Sequence, residues 1–357
     1  MHDKRCNETV GRRFQSEDAV LDANQEFQRD IGKIQHSQSF LRLSDCMTFV
    51  PDFNYLHGSQ LLHAFDVAEN SGKISEKLGL NTYLTKAIAL SHDFGKAPFG
   101  KIGEIFLDKK IKESEKEFKN NGFKHNIASV VFSQYIEPLN LCFETYHGQK
   151  SHSRGYRQDL NNPSDHITFE SASVSNSDKI SFVIRDLHCA LKMGIIDESR
   201  IPSFVWKWGK TPDEQINTLI DDIVLQSYNN GAIGFGISEI GRQFDELRND
   251  IMYEQIYHAR EHDKYEEILG RIYEFFEKNQ EHFEVNPIVA TNILSCRCAT
   301  NIYNKARTDK RDIEIEDAHA ESQFMMMLKN IKGKDIDITD PDISWGEQRY
   351  LERKQQG

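Results

Sequence analysis

The residues in this chain best suited to chemistry lie in LSHDFGKAPFGKIGE, 90–104. The apolar run Ala87, Ile88 and Leu90 predicts a helix that delivers His92 and Asp93 side by side. Gly95 and Pro98 then break it into a loop carrying Lys96, Lys101 and Glu104. An imidazole and a carboxylate at a helix end can both reach one cation, and the turn keeps that cation accessible. The dipeptide alone is weak evidence, because His262–Asp263 repeats it in EHDKYEE, which reads as a solvated helix face.

Two further residues fit as ligands. His63 sits in SQLLHAFDVAENSG, a helix with Leu61, Leu62, Phe65 and Ala68 on its apolar face. A histidine in that setting is more often a core residue than a ligand. Asp178 opens SDKISFVIRDLHCAL, where Asp178, Phe182 and Arg185 fall at i, i+4 and i+7 on one face, with Asp186 nearby. A carboxylate on a mostly apolar helix is costly unless it meets a cation or lies at the edge of the core. Two imidazoles and two carboxylates (His63, His92, Asp93 and Asp178) suit an octahedral nitrogen–oxygen site for Mn²⁺, Fe²⁺ or Mg²⁺. The remaining positions stay open for water and phosphate oxygens.

Helices must position these side chains, and the chain reads as all-α. Apolar residues recur at helical spacing in 60–80, 83–94, 126–137, 173–192, 214–228, 237–259 and 264–277. Gly and Pro act as punctuation, and NNGAIGFG at 229–236 reads as flexible. The polar stretch 148–168 predicts a long loop near the site, and 200–213, with Trp206 and Trp208, a packed connector. From 331 the helical period is lost, which predicts an extended arm through 357 and raises docking on a neighbouring subunit.

Composition narrows the function classes. A chain of 357 residues can bury a large core. A net charge of −12 argues against a nucleic-acid-binding surface, because phosphate backbones need clustered Lys and Arg. No stretch approaches the roughly 20 apolar residues that span a bilayer. The start, MHDKRCNETVGRRF, lacks the apolar core of a signal peptide. The six cysteines are scattered, and Cys296–Arg297–Cys298 is too tight for a zinc knuckle. Reduced thiols in a cytoplasmic protein are expected.

The order His63, His92–Asp93, Asp178 resembles that of the HD-domain phosphohydrolases, and the surrounding motifs resemble one branch, the deoxynucleoside triphosphate triphosphohydrolases. FQRDIGKIQHSQSFLRL (27–43) is similar to that family's N-terminal signature, and HDFGKAPFGKIGE (92–104) to its HD motif. FKHNIAS (123–129), LNLCFETYHGQKSHS (139–153), FESASVSNSDKISFVIRDLHCALKMGII (169–196) and RNDIMYEQIYHA (248–259) follow in family order. The resemblance covers roughly 12–277. It implies an HD phosphohydrolase core over 1–200, helices over 201–330 that complete the core and make oligomer contacts, and a tail over 331–357. It also implies a dNTP substrate, an activating nucleotide, a homo-oligomer or larger complex, and a role in depleting dNTPs against phage. His63, His92, Asp93 and Asp178 would hold the metal. Lys179 would meet the phosphates, His125 would act near the α-phosphate, Glu104 would join the catalytic shell, and Asp186 would shape the sugar or phosphate pocket. His152 matches a family position but gains no assigned role.

Departures from the pattern bear on the substrate side. Gln60 stands where many members have Arg, Lys96 and Lys101 stand for two histidines, Phe182 for Tyr, and Arg185 for His. An anionic substrate still fits. At Lys101 the family carries a histidine proposed to transfer protons; a lysine stays charged at neutral pH where an imidazole titrates. Two alternatives stand beside the hydrolase reading: an HD phosphodiesterase acting on another nucleotide, and a nucleotide-sensing regulatory subunit with a degenerate site.

Overall fold

The structure, a computed structural model, describes residues 6–14, 21–48, 58–114, 118–120, 122–153, 166–257 and 263–356. Among these residues the chain is all-α, and its β pairing is limited to isolated bridges, Arg12 with Cys142 and Met47 with Ser59. The first helices are α1 (Ala23–Gln35), α2 (Gln38–Arg42), α3 (Gln60–Leu78), α4 (Thr82–Ser91), α5 (Lys101–Glu113), α6 (His125–Val131), α7 (Phe143–Ser151) and α8 (Phe169–Lys192). Then come α9 (Val205–Trp208), α10 (Pro212–Asn230), α11 (Glu239–Glu246), α12 (Asp263–Lys278) and α13 (Gln280–Phe283). The last are α14 (Pro287–Ile293), α15 (Cys296–Thr308), α16 (Ile315–His319), α17 (Ser322–Ile331) and α18 (Ser344–Gln356). π-helical stretches, Phe132–Ile136 and Leu247–Tyr257, continue α6 and α11.

The helices that carry the ligand candidates start on side-chain caps. Ser59 accepts from the Leu62 amide, Asn81 from Tyr83 and Leu84, and Thr168 from Ser171. Each cap satisfies amides that the first turn leaves without partners, which stabilises a helix by about 0.5–2 kcal/mol. Helix α3 packs on α4 and α8, and α4 also packs on α1 and α7. Two large apolar clusters hold this arrangement. One joins Leu90, Phe94, Phe99 and Phe132 to Phe276, Phe283, Ile293 and Phe324 from the C-terminal helices. The other buries Ile180, Val183, Ile184 and Leu187 of α8 against Leu219, Ile223, Phe244 and Met252. Burying each such side chain is worth roughly 1.5–3 kcal/mol, so packing fixes α4 and α8.

The structure corrects the expected arm in its last part. Residues 344–356 are helical, and α18 lies on its own chain, with Trp345 and Tyr350 ring centroids 6.0 and 6.3 Å from Phe143. Asp342 and Gln134 exchange hydrogen bonds of 3.0 and 2.7 Å just before it. Aromatic contacts from outside the segment set its conformation, which its own polar pattern did not reveal. The polar stretch from 148 begins inside α7, while 154–165 lie outside the described residues. In 229–236, Ile233 and Phe235 are buried in the second core. No helix among the described residues is long and apolar enough to cross a membrane.

Candidate metal centre

Helix α4 ends at Ser91, and the chain turns through His92–Gly95 into the loop before α5. The turn depends on close backbone approach. A Cβ on Gly95 would lie 2.3 Å from the Ser129 nitrogen of α6, and one on Gly103 would lie 2.0 Å from the Pro98 carbonyl. Ser129 Oγ donates to the His92 carbonyl at 2.6 Å and accepts from the Gly95 amide at 2.9 Å. Phe99 is held at φ 60°, an uncommon conformation for a side chain with a Cβ, while its amide donates to Cys296 Sγ at 3.1 Å. Behind the turn, fully buried Arg42 donates to the Phe94 and Lys96 carbonyls at 3.2 and 2.7 Å. The same guanidinium reaches Asn292, Ile293 and Leu294, which ties the turn to the α14–α15 junction.

Four helices then converge on one cluster. His63 Nε2 lies 2.9 Å from Asp178 Oδ1, and His92 Nε2 lies 3.6 Å from the same oxygen and 3.5 Å from Asp93 Oδ2. His63, His92 and Asp93 offer ligand atoms within 4.8 Å of one another, as do His92, His152 and Asp178, and Asp93, His125 and His152. His63, His92, Asp93 and His152 are at most 2% exposed. Among the described residues, His92 Nε2 and Asp93 Oδ1 are buried with no hydrogen-bond partner. Buried polar atoms left so are costly, and both are placed to ligate a cation. His92 Nδ1 is engaged by the Ala89 carbonyl at 2.7 Å, which leaves Nε2 as the free ligand atom. The residues therefore fit a divalent ion.

Electrostatics support the same donor set. Burial pushes the Asp178 carboxyl upward, but His63 and His92 overcome it and hold it well below the usual carboxylate range. Asp93 is likewise held low against burial, by Lys96 and then His92. Burial lowers His63, whereas the same desolvation of His92 is outweighed by Asp93 and Asp178. Burial, with His92 and His125 nearby, keeps His152 well below the ordinary imidazole value. Ionised carboxylates and neutral imidazoles are the forms that bind metal. Asp93, Asp178, His63 and His152 therefore stand ready, and His92, raised by Asp93 and Asp178, would give up its proton to the ion.

An outer layer adjoins the cluster. Glu104 Oε1 lies 3.0 Å from His125 Nδ1, and His125 Nε2 faces His152 Nε2 at 3.3 Å and Asp93 Oδ1 at 3.7 Å. Burial raises the Glu104 carboxyl, but His125 and Lys101 bring it below its usual range. Lys101 Nζ donates to Glu104 Oε2 at 3.2 Å from a side chain that is 68% exposed. Lys96 Nζ donates to Asp93 Oδ2 at 3.0 Å.

The other candidates contact groups outside the four proposed ligands. Lys179 Nζ donates to Ser175 O and Oγ, both at 2.8 Å, and to the His152 carbonyl at 3.4 Å. Arg185 pairs with Asp66 of α3, and Asp186 accepts from Tyr257 Oη at 2.6 Å. Phe182 lies 6.4 Å from the Tyr257 ring. Gln60 is buried, its amide donating to the Met47 carbonyl at 3.4 Å. His152, left without a role by the sequence, belongs to the cluster; its place in the motif 139–153 was the available signal. His262 lies outside the described residues.

This geometry on an all-α frame is that of the HD class of metal-dependent phosphohydrolases, and the HD domain family matches residues 61–181, which include His63, His92, Asp93 and Asp178. The chain is 33% identical over 292 residues to a deoxyguanosinetriphosphate triphosphohydrolase-like protein of Clostridium perfringens (strain SM101 / Type A), covering 77% of this chain and 80% of the relative. Similar proteins of that description come from Clostridium tetani, 32% identical with 71% and 73% covered, and Caldanaerobacter subterraneus, 28% identical with 82% and 84% covered. The chain belongs to the deoxyguanosinetriphosphate triphosphohydrolase-like family of HD proteins.

Proposed function

We propose that this chain hydrolyses deoxynucleoside triphosphates to deoxynucleoside and inorganic triphosphate. The observation that carries the reading is the buried His63–His92–Asp93–Asp178 cluster with its unpartnered His92 Nε2 and Asp93 Oδ1, set beside the Glu104–His125 pair. These four residues would hold Mn²⁺, Mg²⁺ or Fe²⁺. Once bound, the ion supplies Lewis acidity toward the α-phosphate and activates water. Glu104, kept ionised, fixes His125 with its proton on Nδ1, so that Nε2 faces the cluster and handles the proton at the reacting phosphate. Lys96 and Lys101 offset charge on the phosphate oxygens. Lys179 joins them if substrate oxygens displace its bonds to Ser175. The relatives' description supports a deoxynucleotide substrate. An activating nucleotide, a homo-oligomer or larger complex, a cytoplasmic setting and dNTP depletion against phage belong to the same reading.

The test is product analysis. The protein is incubated with Mn²⁺ or Mg²⁺ and each dNTP, NTP or cyclic nucleotide, singly and in mixtures, and phosphorus NMR identifies the products. Intact triphosphate is expected. Pyrophosphate plus monophosphate would replace this reading with pyrophosphohydrolysis, and cleavage confined to cyclic nucleotides with a phosphodiesterase.

A further inference from the structure

Far along the chain from the HD motif, two histidines from separate helices meet at the surface. His282 of α13 and His319 of α16 place their Nε2 atoms 3.4 Å apart, with ring centroids 5.4 Å apart and planes at 35°. Both side chains are exposed. As a hydrogen bond this separation is long, since the usual N–H donor range ends near about 3.2 Å. For two imidazoles on one tetrahedral ion it is the expected spacing. Metal–nitrogen bonds of about 2.0–2.1 Å at a tetrahedral angle set the two nitrogens roughly 3.3–3.4 Å apart.

The rings are organised before any ion arrives. Phe283, buried in the main core, meets both imidazoles edge to face, with centroids 5.0 Å from His282 and 6.0 Å from His319. Phe276 and Phe324 pack against Phe283 in turn at 5.2 and 6.2 Å. The surrounding charge also favours a cation. Segments 280–284 (QEHFE) and 314–321 (EIEDAHAE) contain six acidic residues and no Lys or Arg. Asp317, Glu314 and Glu284 are paired with Arg311 or Lys332. Glu281, Glu316 and Glu321 make no ion pair among the described residues.

We propose that His282 and His319 form a second metal site, which takes a divalent ion with a preference for imidazole nitrogen: Zn²⁺, Ni²⁺ or Cu²⁺. The remaining positions go to water. Its chemistry differs from that of the buried cluster, whose two carboxylates suit Mn²⁺ or Mg²⁺ as well. A bound ion bridges α13 and α16 only in the folded chain, so it raises thermal stability by mass action.

Ni²⁺ is the probe. The full chain is stripped with a chelator, loaded with Mn²⁺, and titrated with Ni²⁺ by calorimetry beside His282→Ala and His319→Ala. The parent binds one equivalent of Ni²⁺ more than either variant, and Ni²⁺ raises its melting temperature more than theirs. Metal-free melting and Mn²⁺-dependent turnover stay the same in all three. His319→Gln, which keeps size and polarity without an imidazole, behaves as the alanine variant. If all the variants take up Ni²⁺ with the parent's stoichiometry and an affinity within twofold, the pair is a hydrogen-bonded surface contact and the site does not exist.

Discussion

His92 and Lys101 are nine residues apart in sequence, yet His92 is fully buried and the Lys101 side chain is 68% exposed. They belong to two parts of the site, a floor and a rim, that are held by different means. On the floor, α3, α4 and α8 are locked by apolar packing. Although His63 pairs with Asp178 and Asp93 with Lys96 there, His92 Nε2 and Asp93 Oδ1 are left without hydrogen-bond partners among the described residues. At the rim, charged groups are paired: Lys101 with Glu104, Arg185 with Asp66, Lys179 with Ser175. Packing can hold ligand atoms in an arrangement that would repel or go unsatisfied without an ion. Paired rim groups are satisfied alone, and a polyphosphate must compete for them. That contrast supports the proposal of a metal on the floor and a phosphate-bearing ligand at the rim.

Substitutions can break or sharpen that contrast. Removing a floor ligand has the largest effect: His92→Ala loses the ion and several kcal/mol of transition-state stabilisation, about a thousandfold or more in turnover. Steady-state kinetics on a folded variant checks this, and turnover within tenfold of the parent would place the metal elsewhere. His125→Ala, between floor and rim, lowers kcat by about 10²–10⁴-fold with metal retained, as expected for an acid–base group. Glu104→Gln keeps the shape but weakens the hold on His125, a loss of about 10–100-fold that appears in kcat and its pH profile more than in KM. Lys101→Ala is milder, about two- to tenfold, because an exposed ion pair is worth little. Lys101→Arg retains part of the rate, and Lys101→His acquires a further rate change between about pH 6 and 7 in addition to the parent's own profile. A Lys101→Ala variant with the parent's rate would make that side chain a solvated lysine. His262→Ala changes neither metal content nor turnover.

The same contrast explains what could be read before the structure. Asp178 was legible because a carboxylate within an apolar helical period is a local anomaly. His63, on its own read more readily as a core histidine, stood out through the order His63, His92–Asp93, Asp178. Their helices were legible from the apolar period itself. His152 is placed by the approach of α7 to α4, where a Cβ on Gly148 would sit 2.4 Å from Ile88 Cδ1. No local pattern encodes that approach. The rim was harder still, since Arg185 turns to Asp66, more than one hundred residues earlier in the chain. Helix α18 escaped notice because Phe143 and the Arg12 carbonyl, which accepts from Arg349 at 3.0 Å, fix it from a distance.

Counting bound Mn²⁺ by electron paramagnetic resonance tests the central claim most directly. Mn²⁺ favours the carboxylate-containing floor over a pair of surface imidazoles, so the signal reports the buried cluster. The parent and His319→Ala each bind one Mn²⁺ per chain, and Asp93→Ala, folded by circular dichroism, binds none at the same concentration. An Asp93→Ala chain that takes up Mn²⁺ as the parent does would contradict the assignment of the buried cluster as the metal centre.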